Sequence, residues 1–172
     1  MVVLAYPKFS ETDYEWIQNY RKVNDILYYD IVDPHFTFVF PTYNLPKDNF
    51  IEEISSKCKN EKQIPFIIRS AVINKDSFID TYHELLVPDK GHSSIIKLHD
   101  KLYSGKLFTE LRLEIDFIPH IGIGNSKDPI ICKNKVDKIN KLNIEIKGII
   151  DDLDIAIYEN NKVETVEKVK LL

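Results

Sequence analysis

Scarcity narrows what this chain of 172 residues can be. Two cysteines, Cys58 and Cys132, lack any CxxC spacing, and each falls inside a helix-like pattern where a small apolar residue fits. They read as plain reduced core residues rather than a disulfide or a nucleophile. Glycines number five, and no Walker-type or GxGxxG pattern exists. The stretch "GIGN" after His120 supplies too few glycines and no Lys-Ser/Thr, so nucleoside triphosphate hydrolysis has no support. Among 23 basic residues only three are arginine (Arg21, Arg69, Arg112), and 27 acidic residues set the net charge to -4. That balance argues against a surface that neutralises long nucleic acid, while leaving room for a small or terminal phosphate. No window approaches the roughly 18 apolar residues of a membrane span. The N-terminus has no basic start and no long apolar region, unlike a signal peptide. A cytoplasmic monomer with no membrane partner is the expectation. Hydrophobic residues make up 44%, enough for one good core but scarcely for two, so residues 1–172 are expected to form a single bilobal domain.

What is present is an order of elements that repeats. "VVLAYP" reads as a strand, and the following segment from Ser10 as a helix, with Ser10 and Asp13 as a capping box and Trp16, Ile17, Tyr20, Val23 and Leu27 at helical spacing. "HFTFVFP" then alternates, with His35, Thr37 and Val39 on one face and Phe36, Phe38 and Phe40 on the other. A helix over "PKDNFIEEISSKCKN" and two strands, "IPFIIRSAVIN" and "SFIDTYHELLVP", complete the first half, about 1–90. From about 91 the order restarts. A helix capped by Ser93 or Ser94 carries Ile95, Leu98, His99 and Leu102. The strand "FIPHIGIG" follows, then a helix carrying Ile131, Val136, Ile139 and Leu142. Three closing strands end the chain, the last two joined by "NNK". Two equivalent lobes would set His35 and His120 facing each other across a pseudo-twofold cleft.

The chemistry of those positions is specific. His35 and Thr37 stand two residues apart and therefore on the same side of a strand. The hydroxyl can bond a phosphate oxygen. Imidazole titrates near pH 6.5 when unperturbed, so one histidine can take a proton while a second, protonated, donates one. Two suffice for phosphodiester cleavage without metal. His92 and Ser94 share the His-x-Ser spacing, yet only His35 and His120 follow a proline, open an alternating strand and occupy equivalent places in the repeat.

The pair "HFTF" (35–38) and "HIGI" (120–123) resembles the twice-occurring His-x-Thr/Ser-x motif of the two-histidine (2H) phosphoesterase superfamily. Within it the chain is most similar to the 2'-5' RNA ligase-like proteins, also described as RNA 2',3'-cyclic phosphodiesterases. The resemblance implies an α+β fold, a pseudo-twofold pair of antiparallel sheets flanked by helices. It implies no metal or other cofactor, and a nucleotide or RNA terminus as substrate, with hydrolysis of a cyclic phosphate or a 2',5'-phosphodiester and reversible ligation in some members. Carried over by position, His35 and His120 are the catalytic pair and Thr37 holds phosphate. Gly122 stands where the second hydroxyl belongs. Losing such a donor costs about 2.7–4 kcal/mol of transition-state stabilisation elsewhere. Glycine also opens room on the cleft floor, and Gly124, on the same face, is expected to widen it further. An alternative is a nucleotide or RNA-end binding module on the same scaffold, weakened or inactive because of Gly122.

Other candidates have plainer explanations. His83 reads as a surface or strand-packing residue, His92 as part of a loop or cap, and His99 as helix packing. Tyr6, Tyr43 and Tyr82 could stack on a base, but core use explains them better. Arg69 and Arg112 are expected to pair with surface carboxylates. The run "DDLD" (151–154) could bind Mg or Ca, and a solvated turn explains it better.

Overall fold

A computed structural model describes all 172 residues. Two antiparallel sheets form its frame. The first is four-stranded, in the order β3 (Phe36–Val39), β1 (Val2–Ala5), β8 (Asp152–Glu159), β9 (Lys162–Lys170). The second is five-stranded, in the order β2 (Lys8–Phe9), β7 (Ile146–Ile150), β4 (Ile64–Lys75), β5 (Tyr82–Lys90), β6 (Ile121–Ser126). Two short connections pass directly between the sheets, from β1 to β2 through Tyr6 and Pro7 and from β7 to β8 through Asp151, and a Lys8–Asp151 ion pair ties them together.

Helices cover one side of both sheets. The first, α1 (Glu11–Asn24), is capped by Ser10, whose hydroxyl accepts the Asp13 N–H as the capping pattern requires. With α4 (Pro129–Lys141) it packs on the second sheet, where the Tyr20 hydroxyl donates to Glu84 at 2.6 Å and Asn140 bonds the Ala71 backbone. Below the first sheet lie α2 (Lys47–Cys58) and α3 (His92–Leu102). His99 is buried there, stacked on Phe117 with 3.5 Å between ring centroids, and its Nδ1 bonds the Phe38 carbonyl. Both cysteines are free and buried, Cys58 in α2 and Cys132 in α4, and burial pushes each thiol up to about 11. The hairpin at "NNK" forms through Asn160 and Asn161, both left-handed, which matches a tight turn between twisted strands.

One core of 28 buried residues runs continuously beneath both sheets. Phe66 of β4 lies at its junction, edge-on to Phe9 of β2 and to Phe36 of β3. A Cβ at Gly148, opposite on β7, would strike the Phe66 ring.

Several expectations need correction. Val23 is 77% exposed and Leu27 also faces solvent, because α1 stops at Asn24 and its buried stripe runs through Ile17 to Arg21. The helix α3 is capped by Gly91, in a left-handed conformation, rather than by Ser93 or Ser94. Val39 enters the core instead of facing the cleft. Leu4 pairs with Thr37 and Val3 with Val39, which leaves Phe38 as an extra residue in β3, and this bulge turns both Phe38 and Val39 inward. Gly124 likewise leaves the face of Gly122. Leu85 pairs with Gly122 and Glu84 with Gly124, so Ile123 is the extra residue in β6, and Gly124 points at Glu84 on the helix side. "DDLD" is no solvated turn either: Asp152 opens β8, and Asp154 is only 1% exposed, bonded by the Thr165 hydroxyl and paired with Lys168.

Truncating the side chain at the junction of the two sheets removes contacts from both. Phe66→Ala is expected to destabilise the fold by about 3–5 kcal/mol, read as a lowered urea midpoint at unchanged slope.

Candidate functional site

Proline fixes how each histidine enters its strand. Asp33 and Ile118 precede prolines, which holds them extended and leaves their carbonyls free of a helix or ladder. Each carbonyl meets the imidazole two residues on. His35 Nδ1 lies 2.8 Å from the Asp33 oxygen, and His120 Nδ1 lies 2.5 Å from the Ile118 oxygen. A carbonyl can only accept, so Nδ1 carries the proton in both rings and Nε2 is left as the exchangeable nitrogen. The same local unit therefore occurs twice: Pro, His, Nδ1–H on the carbonyl of residue i−2, and a bulge at the third residue after the histidine.

The two units face one another. Thr37, next to His35 on the same face, pairs with Leu4, whose neighbours on that face are Val2, Ala156, Tyr6 and Tyr158. On the second sheet His120, Gly122, Leu85 and His83 share a face by their pairing, opposite Leu86 and Ile121 in the core. Both faces look away from the helices, and the charge on His120 reaches His35 across the groove between them. Thr37 makes no side-chain hydrogen bond within the chain and is half-buried. A Cβ at Gly122 would meet nothing within 4 Å. Thus Gly122 leaves open space where Thr37 has its hydroxyl.

Electrostatics hold both imidazoles neutral in the empty groove. Burial is the main cause and pushes His35 down to about 4, with the charges of His120 and Arg21 acting in the same direction. Burial also lowers His120, and the charge of His83 adds to it. Tyr6, with its ring centroid 6.1 Å from that of His35, is pushed up to about 12 by burial and by Asp154 and Asp33, so it stays a neutral O–H donor.

Two groups at this site escaped the sequence reading. Arg21, 1% exposed, bonds Asp25 Oδ2 through Nε and Nη2 at 3.0 and 2.9 Å and the Val32 carbonyl at 2.7 Å. Asp25 Oδ1 accepts from the Tyr28 N–H at 3.1 Å and from Asn125 Nδ2 at 2.7 Å. Together they clamp the loop that delivers His35 to the end of β6. The available signal was an Arg–Asp pair at helical i,i+4 spacing. His83 was expected at the surface or in strand packing. It instead lies half-buried on the groove face, with Nε2 2.9 Å from Asp76 Oδ2 and its ring against Tyr28. Nothing in its local sequence marks it, since its role depends on the pairing of β5 with β6.

The remaining candidates stay outside the groove. Arg69 pairs with Asp89 and Glu145, and Arg112 with Glu114, as surface pairing predicts. Tyr43 is 76% exposed. No three His, Cys, Asp or Glu side chains converge as a metal-binding group, and no helix is long and apolar enough to cross a membrane. A cavity of about 520 Å³ lies between α2 and β9 and is lined by neither His35 nor His120.

Breaking the clamp should be costly, because Arg21 would remain buried and unpaired. Asp25→Ala is expected to lose about 3–5 kcal/mol of stability. Chemical denaturation measures it, and a loss below 1 kcal/mol would mean that the pair is dispensable.

A family model described as the 2'-5' RNA ligase superfamily matches residues 9–162. Among solved structures, "Structure of Kluyveromyces marxianus Usb1" superposes with a TM-score of 0.54 at 9% identity, covering 99% of this chain and 96% of that chain. At that identity the likeness is one of fold. No curated protein matches the sequence. With the match spanning most of the chain and two sheets flanked by helices in place, the protein belongs to the 2'-5' RNA ligase superfamily of two-histidine phosphoesterases.

Proposed function

We propose that this protein cleaves 2',3'-cyclic phosphates or 2',5'-phosphodiesters at RNA ends or in nucleotides, with His35 and His120 as paired general base and acid. The observation that carries this reading is the matched tautomer: both rings anchor Nδ1–H on a backbone carbonyl, and both keep Nε2 for proton transfer. In the hydrolytic direction one Nε2 takes a proton from water as the oxygen attacks phosphorus. The bond from phosphorus to the leaving ribose oxygen breaks, and the other Nε2–H protonates that oxygen. A phosphomonoester and a free hydroxyl result. Thr37 donates its hydroxyl to a non-bridging oxygen, where charge builds up in the transition state. Run in reverse, the same pair would ligate.

The protonation states fit an anionic substrate. With both imidazoles lowered, a bound phosphate favours the imidazolium form and draws a proton into the groove. A base must lie above its pKa and an acid below, so the optimum falls between the two values. Both lie below 6.5 in the free protein. The profile of kcat/KM, which reports free-enzyme groups, is therefore expected to peak on the acid side of pH 6.5, and that of kcat closer to neutrality.

The alternative, a binding module on the same scaffold, draws on Gly122, which withholds one phosphate contact. Turnover separates the two. Hydrolysis of 2',3'-cyclic nucleotides and 2',5'-linked dinucleotides in EDTA should fall about 10²–10⁴-fold in His35→Ala and in His120→Ala, and about 10²–10³-fold in Thr37→Val. Ligand binding by the native chain without turnover would reject the enzyme in favour of the binding module.

A further inference from the structure

The groove contains one titratable group that the paired-histidine reading does not use. His83 pairs across to Asn125, two residues along β5 from Leu85, which pairs with Gly122. It therefore stands diagonally from Gly122 on the same face, at a backbone separation of about 7–8 Å that a long side chain can span. A side chain at position 122 would enter open space, with no atom within 4 Å of its Cβ. The groups packed against the ring are Asp76 from the turn between β4 and β5, Tyr28 from the loop after α1, and Asn125 of β6; His120 is within electrostatic reach.

Asp76 is held in place independently of His83. Its Oδ1 accepts the N–H groups of Phe78 and Ile79 at 2.7 and 2.9 Å, which leaves Oδ2 for His83. A carboxylate accepts, so His83 Nε2 carries a proton, and its Nδ1 makes no hydrogen bond within the chain. Once protonated at Nδ1 the ring becomes a second donor while remaining anchored through Nε2.

We infer that protonated His83 contacts the substrate phosphate through Nδ1, supplying from β5 the contact that Gly122 cannot supply from β6. This inference rests on the phosphoesterase reading for its site but not for its test. The exchange replaces a neutral hydroxyl, fixed to the strand, by a cationic donor on a neighbouring strand. It accounts together for an open position at Gly122, an imidazole with an idle nitrogen on the same face, and a carboxylate aimed at its other nitrogen.

Binding of a nucleoside 2'-monophosphate by calorimetry tests it, since no turnover is required. A charge-assisted hydrogen bond is worth about 10- to 100-fold in affinity, and His83→Ala is expected to weaken binding by that factor. Asp76→Asn, which can still cap the turn, should weaken it by less. Adding Gly122→Ser to His83→Ala restores a hydroxyl in open space and should recover most of the loss. Unchanged affinity in a folded His83→Ala protein would overturn the inference, as would a Gly122→Ser change that recovers nothing, or absence of binding by the native chain. Turnover measured in parallel keeps the two ideas apart. Normal hydrolysis by His83→Ala would leave the enzyme standing without this contact, whereas rescued binding without any hydrolysis would leave the contact standing in a binding module.

Discussion

The groove is organised by one buried ion pair. Arg21 and Asp25 lie four residues apart at the end of α1, and between them they bind the loop backbone at Tyr28 and Val32 and the side chain of Asn125 on β6. Taking two charges out of water is expensive, and their mutual attraction offsets it only when the remaining donors and acceptors are also satisfied. Here they are, since Gln18 accepts from Arg21 Nη1 and two carbonyls accept from Nη2. The pair contributes position more than stability. Its loop carries Tyr28 to His83 and ends at Asp33, whose carbonyl orients His35, while Asn125 belongs to the strand that His120 opens. A single buried cluster thereby sets the two sheets' histidine units relative to one another, and its positive charge also reaches His35.

Each histidine unit uses the backbone to decide chemistry. Proline holds the preceding residue extended, and the carbonyl of that residue fixes the tautomer, so the choice of reactive nitrogen needs no second side chain. The bulge three residues later serves a different purpose. Because an extra residue shifts the alternation, the groove-facing positions 35, 37, 120 and 122 before the bulges give way after them to Val39 in the core and Gly124 on the helix side. Each motif therefore exposes a short stretch, His35 and Thr37 in one strand and His120 and Gly122 in the other, without committing a whole strand face to polar residues.

That bulge also explains where reading the residues in order succeeds and fails. His35, Thr37, His120 and Gly122 come before the bulges, so strict alternation assigns their faces correctly. Val39 and Gly124 come after, and alternation misplaces both. Capping and periodicity place the helices correctly at Ser10, Cys58 and Cys132, but periodicity extends the stripe of α1 through Val23, whereas the buried side chains are Ile17 and the charged Arg21. Burial of Arg21 depends on a carbonyl eleven residues away and on Asn125, a hundred residues from Asp25. His83 is hidden for the same reason. Its neighbours across the strand exist only after β5 has paired with β6, and no spacing within "TYHELL" encodes that partner. Asp154 shows the converse, since a run of acids resembles a solvated turn until Thr165 and Lys168 of β9 are set beside it.

On the proposed phosphoesterase reading an acidic chain must still attract a phosphate, and the groove would do so by keeping its cationic groups conditional. Arg21 is charged but neutralised by Asp25. His35 and His120 are both shifted toward the neutral form by burial, with the charges of His120 and Arg21 adding to the effect on His35 and that of His83 to the effect on His120, so these rings carry little fixed positive charge. A phosphate entering between them reverses that balance, because its own charge favours protonating the rings that line it. In the proposed mechanism the proton needed by the general acid would then arrive with the substrate instead of being stored at the cost of a desolvated imidazolium. Such a site responds to the one ligand charge that can stabilise a proton on Nε2 and stays closer to neutral for ligands that lack it. Under that proposal, discrimination for phosphate would follow from burial of the rings themselves, in a chain with few arginines to spare for the task.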